Sequence, residues 1–176
     1  MYKTHPVFEE PEDPNVKIWR YLRYDHLMST LEKRALFFPS IHKLGEEDPF
    51  EGSYPEPHRQ FFNKAWEDRG RMLNFPKPIL SDMKEHDQKV RRWLMERIIV
   101  NCWHMNDYES AAMWKIYAGG KKGIAIQSTF KRLKESFKDN KEDDVHIGKV
   151  KYIDYTKNTI PRDNGFYPCV YKRKSF

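Results

Sequence analysis

No run of consecutive apolar residues in this chain is longer than a few positions, and that limit excludes several architectures at once. A membrane-spanning helix needs about 20 predominantly apolar residues, so none is expected. What remains is a set of short strands and amphipathic helices that must cover one another to make a core. Lys17-Ile-Trp-Arg-Tyr-Leu-Arg-Tyr24 alternates apolar with polar or basic residues, the pattern of a half-buried strand. Asp25 can then cap a helix whose apolar positions Leu27, Met28, Leu31 and Ala35 recur at helical spacing. Leu36-Phe-Phe38 reads as a short strand stopped by Pro39 and Ser40, and residues 41–57 read as a loop with its strongest turn signal at Asp48-Pro-Phe-Glu-Gly-Ser53.

Further along, residues 59–71 are expected to be helical, with Phe62, Ala65 and Trp66 on one side and Gly70 near the end. Pro76 and Pro78 break the chain, and Ser81 caps a second long helix to about Arg97. Strands are expected from Arg97 or Ile98 to His104, at residues 123–127 and 145–155 and from Cys169 onward, with helices at 109–118 and from Ser128 through Phe130, Leu133 and Phe137. This order specifies an α+β fold: one domain over residues 1–176, with helices outside a mixed, mostly antiparallel sheet and an extended acidic, proline-bearing segment at 1–15. A final strand that starts at Cys169 and stops at Phe176 is expected to be a bare edge or the sign of a truncated chain.

Composition narrows the class. A hydrophobic share of 39% with 15% aromatic residues argues for a packed core despite 33% charged residues. Two cysteines are too few for a disulfide framework, and the first 15 residues lack the basic-then-apolar order of a signal peptide, so the cytoplasm is the expected location. A net charge of +6 permits attraction to nucleic acid or to anionic ligands, but acidic residues interrupt most of the basic groups, as on a solvated mixed surface.

The chemistry-bearing residues concentrate after the apolar run Ile98-Ile-Val100, in Asn101-Cys-Trp-His-Met-Asn-Asp-Tyr-Glu-Ser110 and the helix that follows. Polar and aromatic groups gathered where a buried strand ends are suited to line a ligand pocket. Ser110, Met113, Trp114 and Tyr117 share one helical face, and Ser110 lies beside the helix start, where free backbone donors favour an anion. A stripe of this kind is also what an ordinary core face looks like. The seven histidines are scattered with no His-x-x-x-His or Cys-x-x-Cys pair, and Cys102 with His104 would need a distant third ligand, so no metal site is expected. The same two residues lack the spacing of an activated thiolate and its base, and a buried core cysteine is the ordinary alternative. Gly119-Gly-Lys-Lys-Gly123 follows a helix and precedes a strand, the reverse of a phosphate-binding loop, so it reads as a helix end and turn. In Asp48-Pro-Phe-Glu51 the aspartate can bond its own turn and Phe50 can enter the core, which leaves Glu51 as a candidate pocket acid.

Several of these pieces occur together in one family. Trp19-Arg-Tyr-Leu-Arg-Tyr24, Leu31-Glu-x-x-Ala-Leu-Phe-Phe38, Asp48-Pro-Phe-Glu51, Cys102-Trp-His-Met-Asn106, Glu109-Ser-x-x-Met-Trp-x-x-Tyr117 and Gly123-Ile-Ala-Ile126 resemble, in the same order, the bacterial family named domain of unknown function 2971. Members of that family continue past a lysine-rich segment like Tyr171-Lys-Arg-Lys174 into a strand with a Glu-x-Glu-x-Arg pattern, so the resemblance implies an acid that this chain would lack. The order of elements is also similar to ADP-ribosyltransferase-like folds, which split around NAD. That analogy implies a site for NAD or another nucleotide in a phage-defence or toxin-like protein. Arg20 or Arg23 would hold the pyrophosphate, Tyr24 or Tyr117 would stack on nicotinamide, and Ser40, Trp103, Ser110 and Trp114 would line the pocket. Glu51, His104 and Glu109 would be the candidate catalytic groups, in a hollow shared by the first strand, the Asp48 loop and the segment 102–117. The competing expectation is a non-enzymatic module that binds nucleic acid or protein through basic faces and exposed aromatics.

Overall fold

A computed structural model describes residues 1–118 and 122–174. In chain order the elements are β1 (Lys17–Arg23), α1 (Tyr24–Lys33), α2 (Ile41–Leu44), α3 (Glu56–Met72), α4 (Lys77–Arg97), β2 (His104–Met105), α5 (Ala111–Ala118), β3 (Gly123–Thr129), α6 (Phe130–Ser136), β4 (Lys151–Ile153), α7 (Tyr167–Val170) and β5 (Tyr171–Arg173). The fold is α+β, with an antiparallel three-stranded sheet in the order β2-β1-β3 and a separate parallel pair, β4-β5. Most of the glycine–lysine loop, residues 119–121, and the end of the expected last strand, residues 175–176, lie outside the described residues. Among those described, no helix is long and apolar enough to cross a membrane. The elements gather into two compact units, Met1–Phe38 with Asn101–Lys149 and Pro39–Val100 with Val150–Phe176.

The first unit is built on β1. Its neighbours pair along it in register, Trp19 standing opposite His104 on one side and Gln127 on the other. Ile18, Trp19, Tyr21 and Leu22 are all buried, so β1 is covered on both faces and not on one. The alternation expected of a half-buried strand misleads here because Trp and Tyr are amphipathic: an apolar body is buried while the polar tip finds an acceptor or donor. Successive side chains point to opposite faces, so Trp19, Tyr21 and Arg23 share one side, and Ile18, Arg20 and Leu22 the other. Asp25 does not cap α1. Extended Arg23 holds the cap position and Asp25 lies in the first turn. At α6 the cap is Thr129, one residue later than Ser128, and its Oγ1 accepts from the Arg132 amide at 3.2 Å. Phe130 and Leu133 then enter the core.

In the second unit two helices begin earlier than expected. α3 starts at Glu56 and α4 at Lys77, each with a proline in its first turn. Proline lacks only an amide that would be unpaired there anyway, so Pro57 opens a helix where the end of a loop is expected, and Pro78 opens one where a break is expected. Residues 36–38 form no regular strand, and of the strand expected to end at His104 only His104, the first residue of β2, and a bridge from Ile99 to Ser40 are present. Both segments contain strand-forming residues, but among the described residues no neighbouring strand pairs along them to build a ladder. The Asp48 turn behaves as expected, its Oδ1 accepting from the Phe50 amide at 2.9 Å. Gly52 closes that turn in the left-handed region at φ 62°, and a Cβ there would collide with the Ile41 side chain. Ile41, Tyr155, Ile160 and Val170 are the buried apolar residues of this unit, beside Pro55 and Pro168.

Candidate functional site

The central strand presents a different cluster on each face. On one, the Arg20 guanidinium donates from Nη1 to Asn101 Oδ1 at 2.6 Å and to the Cys102 carbonyl at 3.2 Å. The same Asn101 oxygen accepts from Trp103 Nε1 at 2.7 Å, while the Asn101 amide nitrogen donates to the Phe37 carbonyl at 2.8 Å. Asn101 therefore ties Arg20 and Trp103 together and is itself anchored to the backbone. Among the described residues Arg20 makes no ion pair, since its partners are neutral oxygens. Burial holds its pKa below the usual arginine range, and the electrostatic influence of Cys102 and Tyr117 acts in the opposite sense. Cys102 and Tyr117 are exposed, so the cluster opens to solvent.

On the other face Tyr21 Oη accepts from the Ser110 amide at 2.8 Å, and its ring meets Trp114 edge-on at 5.3 Å and His104 at 6.4 Å. Ser110 is the cap of α5, its Oγ accepting from the Met113 amide at 3.3 Å. Glu109 accepts from Trp114 Nε1 at 2.7 Å. This arrangement is chiefly a helix start docked on a strand, with one loose end: His104 Nε2 is buried without a hydrogen-bond partner. Trp19 completes the face by donating to the Asn106 carbonyl at 2.8 Å.

The remaining expected site residues are held elsewhere. Arg23 is engaged by Asp25 in an exposed pair at 2.6 Å and approaches His26 Nε2 at 3.2 Å. Being on the opposite face of β1, it does not join Arg20. Tyr24 opens α1 and is 48% exposed. Ser40 belongs to the second unit and accepts from the Lys43 amide as the cap of α2. Glu51 belongs to that unit as well, where its carboxylate accepts from the Lys172 ammonium, with Lys172 and Glu51 side chains only 17% and 6% exposed. A carboxylate so paired is a structural tie between the Asp48 turn and β5, and the expected grouping of Glu51 with Arg20 falls across two different units.

The strand-face partners that sequence reasoning passed over are Asn101 and Tyr21. Asn101 stood at the head of the segment already singled out, directly after an apolar run, which is the available signal. Tyr21 carried none, because nothing in the alternation distinguishes a tyrosine whose hydroxyl receives a distant amide. Among the described residues no group of three or more His, Cys, Asp or Glu is placed to hold a metal ion. Comparison with known proteins returns no match among family models, curated proteins or solved structures.

Proposed function

We propose that the first unit is a binding domain for a nucleotide, with NAD the leading candidate, and that Arg20 receives its phosphate oxygens. The observation that carries this is a half-buried guanidinium compensated only by an amide oxygen and a carbonyl. Desolvating a charge without a counter-charge is costly, and a planar donor fork of this kind matches phosphate. Trp103, fixed to the same Asn101 oxygen, and exposed Tyr117 supply rings for a base or a nicotinamide. The residue resemblances support membership of the domain of unknown function 2971 family, and the order of elements read from the sequence is the basis for proposing kinship with ADP-ribosyltransferase-like proteins in phage defence or toxicity. The site is better equipped to bind than to catalyse, because Glu51 is spent on Lys172 and Glu109 on Trp114. NAD at millimolar concentration is expected to raise the melting temperature of the wild type, and Arg20→Gln to abolish the rise. Equal shifts in both proteins, or no shift with any nucleotide, would refute the reading.

A second reading has one observation behind it. On α4 the Arg97 guanidinium lies 3.9 Å from the centre of the Trp93 ring, which is 52% exposed. A cation stacked on an accessible indole suits single-stranded nucleic acid. Retention on such a strand that weakens steeply with salt and is lost in Trp93→Ala would favour it.

A further inference from the structure

The three-stranded sheet of the first unit ends on one side at β3, an edge that none of the roles above uses. Backbone bonding alternates along an antiparallel ladder, so the direction of each β3 group follows once the phase is known. Two bonds just outside the strand fix that phase. The Tyr24 amide donates to the Lys122 carbonyl at 3.1 Å, and the Phe130 amide donates to the Val16 carbonyl at 3.2 Å. With Leu22 opposite Ile124 and Arg20 opposite Ile126, Ile124, Ile126 and Ser128 turn their N–H and C=O groups toward β1. Gly123, Ala125 and Gln127 turn theirs away, and among the described residues those outward groups meet no hydrogen-bond partner. Natural edges are commonly blunted by a lysine, a proline, a bulge or short length. β3 has none of these: it carries no charged residue or proline, and it pairs with β1 at seven consecutive positions. No residue of β3 is buried, whereas β1 is buried on both faces.

We propose that β3 is a dimerisation edge whose occupant is β3 of a second copy, running antiparallel about a two-fold axis at Ile126. An isologous contact requires one patch that complements itself, and this strand does. Ala125 stands opposite the partner's Gln127, and the outward groups of each such pair exchange both backbone bonds. Between them Ile126 meets the partner's Ile126, an apolar β-branched pair at the centre of the contact. Charge favours the same place. A chain of net charge +6 repels its own copy, and that repulsion is least where the two meet along a strand without charged side chains. The product is one continuous sheet in the order β2-β1-β3-β3-β1-β2. It carries both Arg20 residues on one face, three strand spacings or about 14 Å apart. The pairing holds whatever Arg20 binds.

Sedimentation of the full chain over a concentration series, with amide hydrogen exchange at both ends of the series, tests the proposal. The mass is expected to rise to twice that of the 21.3 kDa chain. The Ala125 and Gln127 amides are expected to exchange more slowly by ~10-fold or more as the dimer fills, while Ile124 and Ile126, already bonded to β1, change less. Gln127→Pro removes an outward N–H alone, a change that edge strands tolerate, and is expected to give a monomer with the circular dichroism spectrum of the wild type. Gln127→Lys leaves the backbone untouched and sets a charge into each edge; it is expected to give the same monomer, and it decides the matter if the proline variant fails to fold. A monomer at every concentration up to millimolar, a dimer undiminished by Gln127→Lys, or a dimer whose Ala125 and Gln127 amides exchange as fast as in the monomer would each overturn it. The last result would place the contact on another surface.

Discussion

Removing Lys172 from beneath the Asp48 turn should cost more than removing the acid it holds. Both groups lie deep, yet unequally: the Glu51 side chain is 6% exposed and that of Lys172 is 17% exposed. Lys172→Met strands a carboxylate that has little access to water. Breaking a buried pair from one side costs about 3–5 kcal/mol, and Glu51 is close enough to full burial for about 3–4 kcal/mol to apply. Glu51→Gln strands an ammonium on a flexible stem that can turn toward solvent, so about 1.5–2.5 kcal/mol is expected. The double variant Glu51→Leu with Lys172→Met removes both charges and should recover most of the loss, since buried pairs are often replaceable by apolar residues of similar size. At roughly 2–4 °C per kcal/mol for a chain of this length, Lys172→Met should melt roughly 6–16 °C lower than the wild type. Urea titrations followed by circular dichroism, compared at constant slope, give the free energies directly. Should Lys172→Met differ from wild type by less than about 0.5 kcal/mol, or Glu51→Gln prove the worse single change, the structural assignment of Glu51 fails. Its candidacy as a pocket acid would then be open again.

The remaining expectations concern other parts of both units. Cys169 is pushed up to about 11, mainly by burial and then by the Glu51 charge, with Lys172 acting the other way, so at pH 8 only about one molecule in a thousand carries its thiolate; thiol labelling should show one fast site at exposed Cys102 and one slow site at Cys169. Gly148→Ala would set a Cβ 2.6 Å from the Phe8 Cα, a backbone atom that cannot swing aside, and should cost about 2 kcal/mol or more in a denaturation curve. Tyr21→Phe removes the acceptor of the Ser110 amide and should cost about 1–3 kcal/mol, read as a lower urea midpoint. His58 is lowered from 6.5 in the folded protein, so the unfolded chain takes up its proton first; the corresponding stability is whole above pH 6.5 and is lost on acidification below it, and His58→Gln should flatten that part of the stability–pH profile.

Much of the local structure could be read directly from residue order. The first strand, the Asp48 turn, the paired helices and the strand from Gly123 are where periodicity and turn chemistry place them, because each depends on neighbours a few positions away. Helix starts were displaced for a local reason too: Pro57 and Pro78 act as first-turn residues, and a proline alone does not announce whether it opens a helix or ends one. The segments at 36–38 and 98–104 contain strand-forming residues, but a ladder needs a partner in register, and that is a property of the whole fold.

The candidate site divides in the same way. Sequence alone singled out the stretch beginning at Asn101, since clustered polar and aromatic types after an apolar run are visible without coordinates, whereas Arg20 or Arg23 entered only through the analogy to ADP-ribosyltransferase-like folds. Only the folded arrangement determined that Asn101 couples Arg20 to Trp103, that Arg23 turns to the opposite face and pairs with Asp25, and that Glu51 is neutralised by Lys172 from 121 positions away. Residue type sets which interactions a side chain can make, but the partner that satisfies a charge is chosen by proximity in space, and proximity between distant positions is decided by packing.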